Sequence, residues 1–102
     1  MPDADGTEDH YVARADLRWR ELGDDLLVFH PVSWDVHLLN AAAGMVLEAC
    51  SRAPQSSPSM AQLLVDWLAD DLRADADGLA RSLLVDLSEL GLIVPVSQRA
   101  GA

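Results

Sequence analysis

The side chains able to do chemistry are few in this chain, and their spacing is poor for catalysis. Three histidines, His10, His30 and His37, fall at no metal-ligand spacing. His37 lies two residues from Asp35 on one face of an alternating stretch, but a metal site needs about three converging ligands and no third is evident. The histidines are therefore read as structural or recognition residues, with no metal. Asp70, Asp71, Asp75 and Asp77 form an acidic cluster. Asp75-Ala-Asp77-Gly78 copies part of a calcium-loop pattern, yet the later bidentate glutamate has no counterpart. Helix capping explains these aspartates better. The lone Cys50 excludes an internal disulfide and a cysteine-cluster metal site, and helical phase puts it on an apolar side. A glycine-rich phosphate loop is missing, as is a serine or cysteine nucleophile with a plausible base. These residues support neither an enzyme nor a cofactor.

Composition narrows the classes further. The 102 residues suit one domain with a modest core, and half of them are apolar, which argues for a globular chain. No apolar run approaches the roughly 20 residues that span a bilayer, so no membrane association is expected. The start, Met1 to Asp9, is acidic where a secretory signal would be basic and then apolar, so a cytoplasmic location is expected. Net charge is −10, and all seven basic residues are arginine. Binding to nucleic acid requires neutralising phosphates, to which this chain is badly suited. The acidity favours solubility and a basic partner or peptide.

The elements that must position any site are legible from periodicity. Residues 1–15 read as a flexible acidic leader, 16–95 as the folded domain and 96–102 as a frayed tail. Asp16–Leu22 alternates, with Leu17 and Trp19 on one face and arginines on the other. Gly23-Asp24-Asp25 is a turn signal, Leu26–His30 reads as a central strand, and His30–Ser33 is a second turn around Pro31. Trp34–Leu39 alternates again, and connections this short predict an antiparallel meander. Both faces of this third strand carry large groups, Trp34, Val36 and Leu38 against Asp35, His37 and Leu39, so which face meets the core is left open. Asn40 follows as an N-cap where helical spacing begins, and Ala43, Val46, Leu47 and Cys50 share one side of the first helix, Ala41 to about Ser51. Gly44 inside it implies close packing on the sheet. Arg52–Pro58 reads as a loop, and Ser59 with Gln62 as a capping box opening a second helix to about Leu72. After a turn with a capping aspartate, a third helix runs from about Gly78 to Leu90, with Leu79, Leu83, Leu87 and Leu90 in one arc and Gly91 as its stop. Leu92–Val94 packs as an extended tail. The class is α+β, a three-stranded antiparallel sheet followed by three helices.

This order resembles the PqqD-like family, the recognition elements or peptide chaperones of ribosomally made and modified peptide pathways. The closer resemblance is to its HPr-related subgroup, through His37-Leu38-Leu39-Asn40 as a His-x-Leu-Asn signature, with Trp19, Gly23-Asp24-Asp25, Leu26–Phe29 and the closing Leu90-Gly91-Leu92-Ile93 also fitting. The resemblance spans roughly residues 17 to 95. It implies a winged-helix-like fold in which a precursor's leader peptide adds as a strand against Trp34, Asp35, Val36, His37, Leu38 and Leu39. It also implies a groove walled by the third helix, with Arg81, Leu84 and Ser88 on the flank of the core arc and Leu87 at its margin. Arg81 would meet a leader carboxylate. The implied partners are the precursor peptide and a modifying enzyme of the same pathway, or the kinase-like protein found beside the subgroup. The same strand could pair with its own copy in a homodimer. Two readings compete with a peptide chaperone. An adaptor subunit for a kinase-like enzyme needs no leader peptide. A winged-helix nucleic-acid binder needs basic and amide groups on its recognition helix, where the third helix offers only Arg81.

Overall fold

The computed structural model describes residues 10–96. It is mixed α+β, as the periodicity predicts. In chain order the elements are β1 (Tyr11–Ala13), β2 (Arg18–Leu22), β3 (Asp25–His30), β4 (Asp35–Leu39), α1 (Ala41–Arg52), α2 (Ser57–Trp67), a 3₁₀ turn (Asp70–Asp75), α3 (Ala76–Glu89) and β5 (Ile93–Pro95). β2, β3 and β4 form an antiparallel meander in that spatial order, followed by three helices, and β1 with β5 forms a separate two-stranded sheet.

The meander is set by its turns. Gly23 supplies the positive φ of +62° that reverses the chain between β2 and β3. Between β3 and β4 the buried His30 does the work of a turn residue. Its Nδ1 accepts from the Val32 and Ser33 amides, both at 3.3 Å, and its carbonyl accepts from the Trp34 amide at 2.8 Å. Cross-strand pairs run Leu27 with Leu38, Val28 with His37 and Phe29 with Val36. Side chains alternate across a strand, so Leu26, Val28, His30, His37 and Leu39 share one face. That face meets α1: Val28 and Leu39 are buried in the core with Ala43, Val46 and Leu47. This settles the face of the third strand that the pattern leaves open. Asn40 caps α1 by accepting from the Ala43 amide at 2.9 Å. Gly44 lies so close to the sheet that a Cβ there would sit 3.4 Å from the Leu26 Cβ.

Several boundaries differ from the sequence expectation. The capping box of α2 is Ser56 with Ser59, not Ser59 with Gln62: the Ser56 amide donates to Ser59 Oγ at 2.8 Å, and the Ser59 amide to Ser56 Oγ at 3.3 Å. Pro58 is therefore inside the first turn, where its missing N–H removes no helical bond. α2 ends at Trp67, and Leu72 belongs to the 3₁₀ turn that follows. Asp75 stands at the N-cap of α3 without a side-chain hydrogen bond, so the expected capping aspartate is not observed. α3 ends in a Schellman motif, with the Gly91 amide bonded to the Ser88 carbonyl and the Leu92 amide to the Leu87 carbonyl, and Gly91 at φ +80°.

The leader assignment is corrected in its second half. Residues 1–9 and 97–102 lie outside the described residues, but Tyr11–Ala13 is a strand pairing antiparallel with Ile93–Pro95. Tyr11 also exchanges backbone bonds with Gln55, and the Val96 amide donates to the His10 carbonyl at 2.8 Å, so residue 96 is anchored rather than frayed. Val12 is buried there opposite Val94, and Ile93 is buried opposite Ala13. A short apolar pair in a polar stretch becomes structural because the far end of the chain offers it a partner.

Candidate functional site

Three of the notable surface residues lie on or beside β4. Val36 is 59 % exposed, Leu38 61 % and Trp34 78 %. Val36 and Leu38 point away from α1, next to Phe29 and Leu27 of β3. On the neighbouring strand the cross-strand partners of Phe29 and Leu27 are Arg18 and Arg20. The outer face of the sheet is thus an apolar band bordered by two guanidiniums, neither paired with a carboxylate among the described residues. A shallow hollow of about 220 Å³ lies on it, lined by Arg18, Trp19, Arg20, Leu27, Phe29 and Val36.

Trp34 differs from its expected place. It is not part of the strand but the last residue of the turn, at φ +65°. A bulky non-glycine residue in this region is strained by about 1–3 kcal/mol and persists only where its surroundings impose it. The indole sits edge-to-face on Phe29, with centroids 6.0 Å apart and planes at 78°. Such a contact contributes about 0.5–1.5 kcal/mol, comparable to the strain. The turn therefore projects a mostly solvated tryptophan beside the outer apolar band.

β4 is also an edge. Its one partner among the described residues is β3, so alternate amides and carbonyls of Asp35–Leu39 face outward unpaired. The N-terminal arm pairs with β5 and Gln55 instead. On the inner face the His37 ring is half-buried, and its Nε2 has no hydrogen-bond partner. Among the described residues no group of three His, Cys, Asp or Glu side chains is placed to hold a metal ion.

The third helix does not complete the site as the family resemblance implies. Leu84 is 2 % exposed and Leu87 1 %, both within the core. Leu84 is therefore not on a solvent flank, and neither leucine is open to a guest. The reason is helix phase: Ala76, Ala80, Leu83, Leu84 and Leu87 form the buried face, while the expected arc member Leu90 is exposed. Arg81 is exposed and Ser88 half-buried, but α3 packs chiefly on α2, α1, β5 and the 3₁₀ turn, with β4 not among its main neighbours. The structure brings residues 34–39 together and leaves Arg81 and Ser88 on a separate element.

Sequence reasoning missed Leu27, Phe29, Arg18 and Arg20 as members of this surface. The signal was present in Leu26–Phe29. An unbroken apolar run expects cover on both faces, and the three α-helices among the described residues cover one.

Comparison with family models, with curated proteins and with solved structures finds no match for this chain. No helix of the described residues is long and apolar enough to cross a membrane.

Proposed function

We propose that this chain is a non-catalytic peptide-binding module that takes an extended guest as an added strand on β4 and presents it to a modifying enzyme. The observation that carries the reading is the unpaired outer edge of Asp35–Leu39, flanked by exposed Trp34, Val36 and Leu38. Backbone bonds to such an edge give affinity tolerant of sequence, and alternate side chains give selectivity. A guest strand would extend the outer face, so its apolar residues at every second position would lie beside Val36 and Leu38, and an acidic residue could reach Arg18 or Arg20 across the hollow. The resemblance to PqqD-like recognition elements, and the winged-helix-like arrangement of a three-stranded sheet with three helices, point the same way. The guest-binding residues proposed are Trp34–Leu39 with Phe29 and Leu27. Leu84 and Leu87 belong to the core and take no part in the proposed site.

The test is an NMR titration of the labelled chain with precursor peptides encoded beside its gene. The expected result is amide shifts and slowed hydrogen exchange at residues 35–39. N-methylation of alternate guest amides should weaken binding by about tenfold per lost ladder bond, the upper range of one net hydrogen bond. Peptide binding that leaves 35–39 unshifted, or affinity unaffected by N-methylation at every guest position, overturns the reading. Binding to unrelated duplex DNA with a steep salt dependence would favour the nucleic-acid alternative instead.

A further inference from the structure

At the opposite edge of the sheet from β4, a cavity of about 310 Å³ opens between the inner face of β2, the β2–β3 turn and the outer side of α1. Its lining includes Trp19, Glu21, Asp24, Asp25, Met45 and Trp67. We infer that this cavity binds an organic cation, an ammonium or guanidinium group on an apolar stem, held between the two indoles and the carboxylates at the mouth.

The chemistry of the walls selects that ligand. Trp19 is 40 % exposed and Trp67 49 %, and both border this hollow from distant parts of the chain, Trp19 also lining two neighbouring ones. Tryptophan is the strongest side-chain partner for a cation lying over a ring, and recognition of quaternary ammonium groups uses such walls. Every ionisable group in the lining is a carboxylate. Glu48 is engaged by Arg52 at 3.2 Å, whereas Glu21, Asp24 and Asp25 pair with no basic side chain among the described residues. The net charge of −10 adds a field that draws cations toward the surface. A bare metal ion fits poorly, because among the described residues no three acidic or histidine side chains converge on one point. A diffuse cation has no such requirement: it meets ring faces directly and carboxylates through longer-range attraction. Met45 adds a soft, adaptable wall against the apolar stem. The site is remote from β4 and stands whether or not that edge takes a peptide.

Fluorescence tests this, because the chain has three tryptophans and Trp34 is the one outside the cavity. In a Trp34→Phe background, Trp19 and Trp67 report alone. The probes are tetramethylammonium, N-acetyl-lysine methylamide and N-acetyl-arginine methylamide, with 3,3-dimethyl-1-butanol as a neutral bulky control. A saturable response to a cation, absent with the neutral alcohol and weakened by added salt, is expected. Trp67→Ala should weaken it about tenfold, the size of one partly desolvated cation–ring contact. The paired change Glu21→Gln with Asp24→Asn, both exposed and outside the core, should weaken it severalfold while the thermal melt is unchanged. Tighter binding of the lysine or arginine derivative assigns the site to a basic peptide segment, and tighter binding of tetramethylammonium to a small quaternary amine. No saturable response to any of the cations, an equal response to the neutral alcohol, or affinity unmoved in both variants overturns the inference.

Discussion

Two strand margins of this molecule meet opposite fates. At one, β1 and β5 seal each other: Val12, Leu92 and Ile93 are buried, and Gln55 bridges to Tyr11. At the other, β4 leaves its outer edge unpaired and Val36 and Leu38 in solvent. Both margins carry apolar residues, so hydrophobicity alone does not decide which is closed. The difference lies in partners. The two ends of the described residues, Tyr11–Ala13 and Ile93–Pro95, meet beside the core and consume each other's backbone groups, while no described segment pairs with the outer edge of β4. An open edge bearing apolar groups is a liability in a monomer, and its persistence suits a surface that receives another chain.

That contrast can be broken most sharply with one residue type. Leu84 and Leu38 are both leucines, one in the core and one on the open margin. Leu84→Asp buries a carboxylate among aliphatic side chains and should cost at least about 4 kcal/mol, unfolding much of the population in urea melts followed by circular dichroism. Leu38→Asp should change stability by no more than about 0.5 kcal/mol in the same melt, yet abolish peptide-induced shifts at β4. Equal destabilisation by the two would mean that the β4 margin is covered in solution. At the sealed margin, Val12→Ala should cost about 2 kcal/mol by chemical denaturation, since it opens a gap against β5. A cost near zero would return residues 11–13 to a mobile leader. Ser56→Ala, which removes half of the α2 capping box beside the Gln55 bridge, should cost about 1 kcal/mol and leave binding at β4 unchanged.

The smallest effect concerns Cys50, which lines a cavity beneath the sealed end together with Val12. Burial pushes its thiol up from 9.0 to about 11. The folded state therefore holds this proton more tightly than the unfolded chain. Its contribution to stability is fully present below pH 9 and is lost as pH rises toward 11. Alkylation at pH 8 should be slow in the native protein and fast in urea. Rapid native alkylation would show that the sealed margin opens readily.

Much of the fold was legible from local pattern. The joint at Leu39-Asn40, the glycine turn at Gly23, the buried face of α1 and the stop at Gly91 each follow from residue types that admit few alternatives. The α2 start was misplaced because Ser56 and Ser59 both satisfy a cap, and only the backbone geometry around Pro58 separates them. Half of the proposed site was legible, since the strand and its exposed alternation can be read directly. The α3 half was not. A rotation of that helix by about half a residue, roughly 50°, moves Leu84 from wall to core, and Leu83 and Leu87 are buried in both phases.

What the residues determine by themselves are the short-range commitments: which segments alternate, which wind, where caps and positive-φ turns must fall, and that no catalytic constellation is spelled out. These are governed by sterics and hydrogen bonding within a few residues. Tertiary structure alone decided the buried face of β4, the phase of α3, the capture of Tyr11–Ala13 by Ile93–Pro95 and the meeting of Trp19 with Trp67 around one acidic cavity. Each of these joins groups far apart in the chain. They form because the total apolar surface is buried best that way, a property of the whole packing that no local window contains.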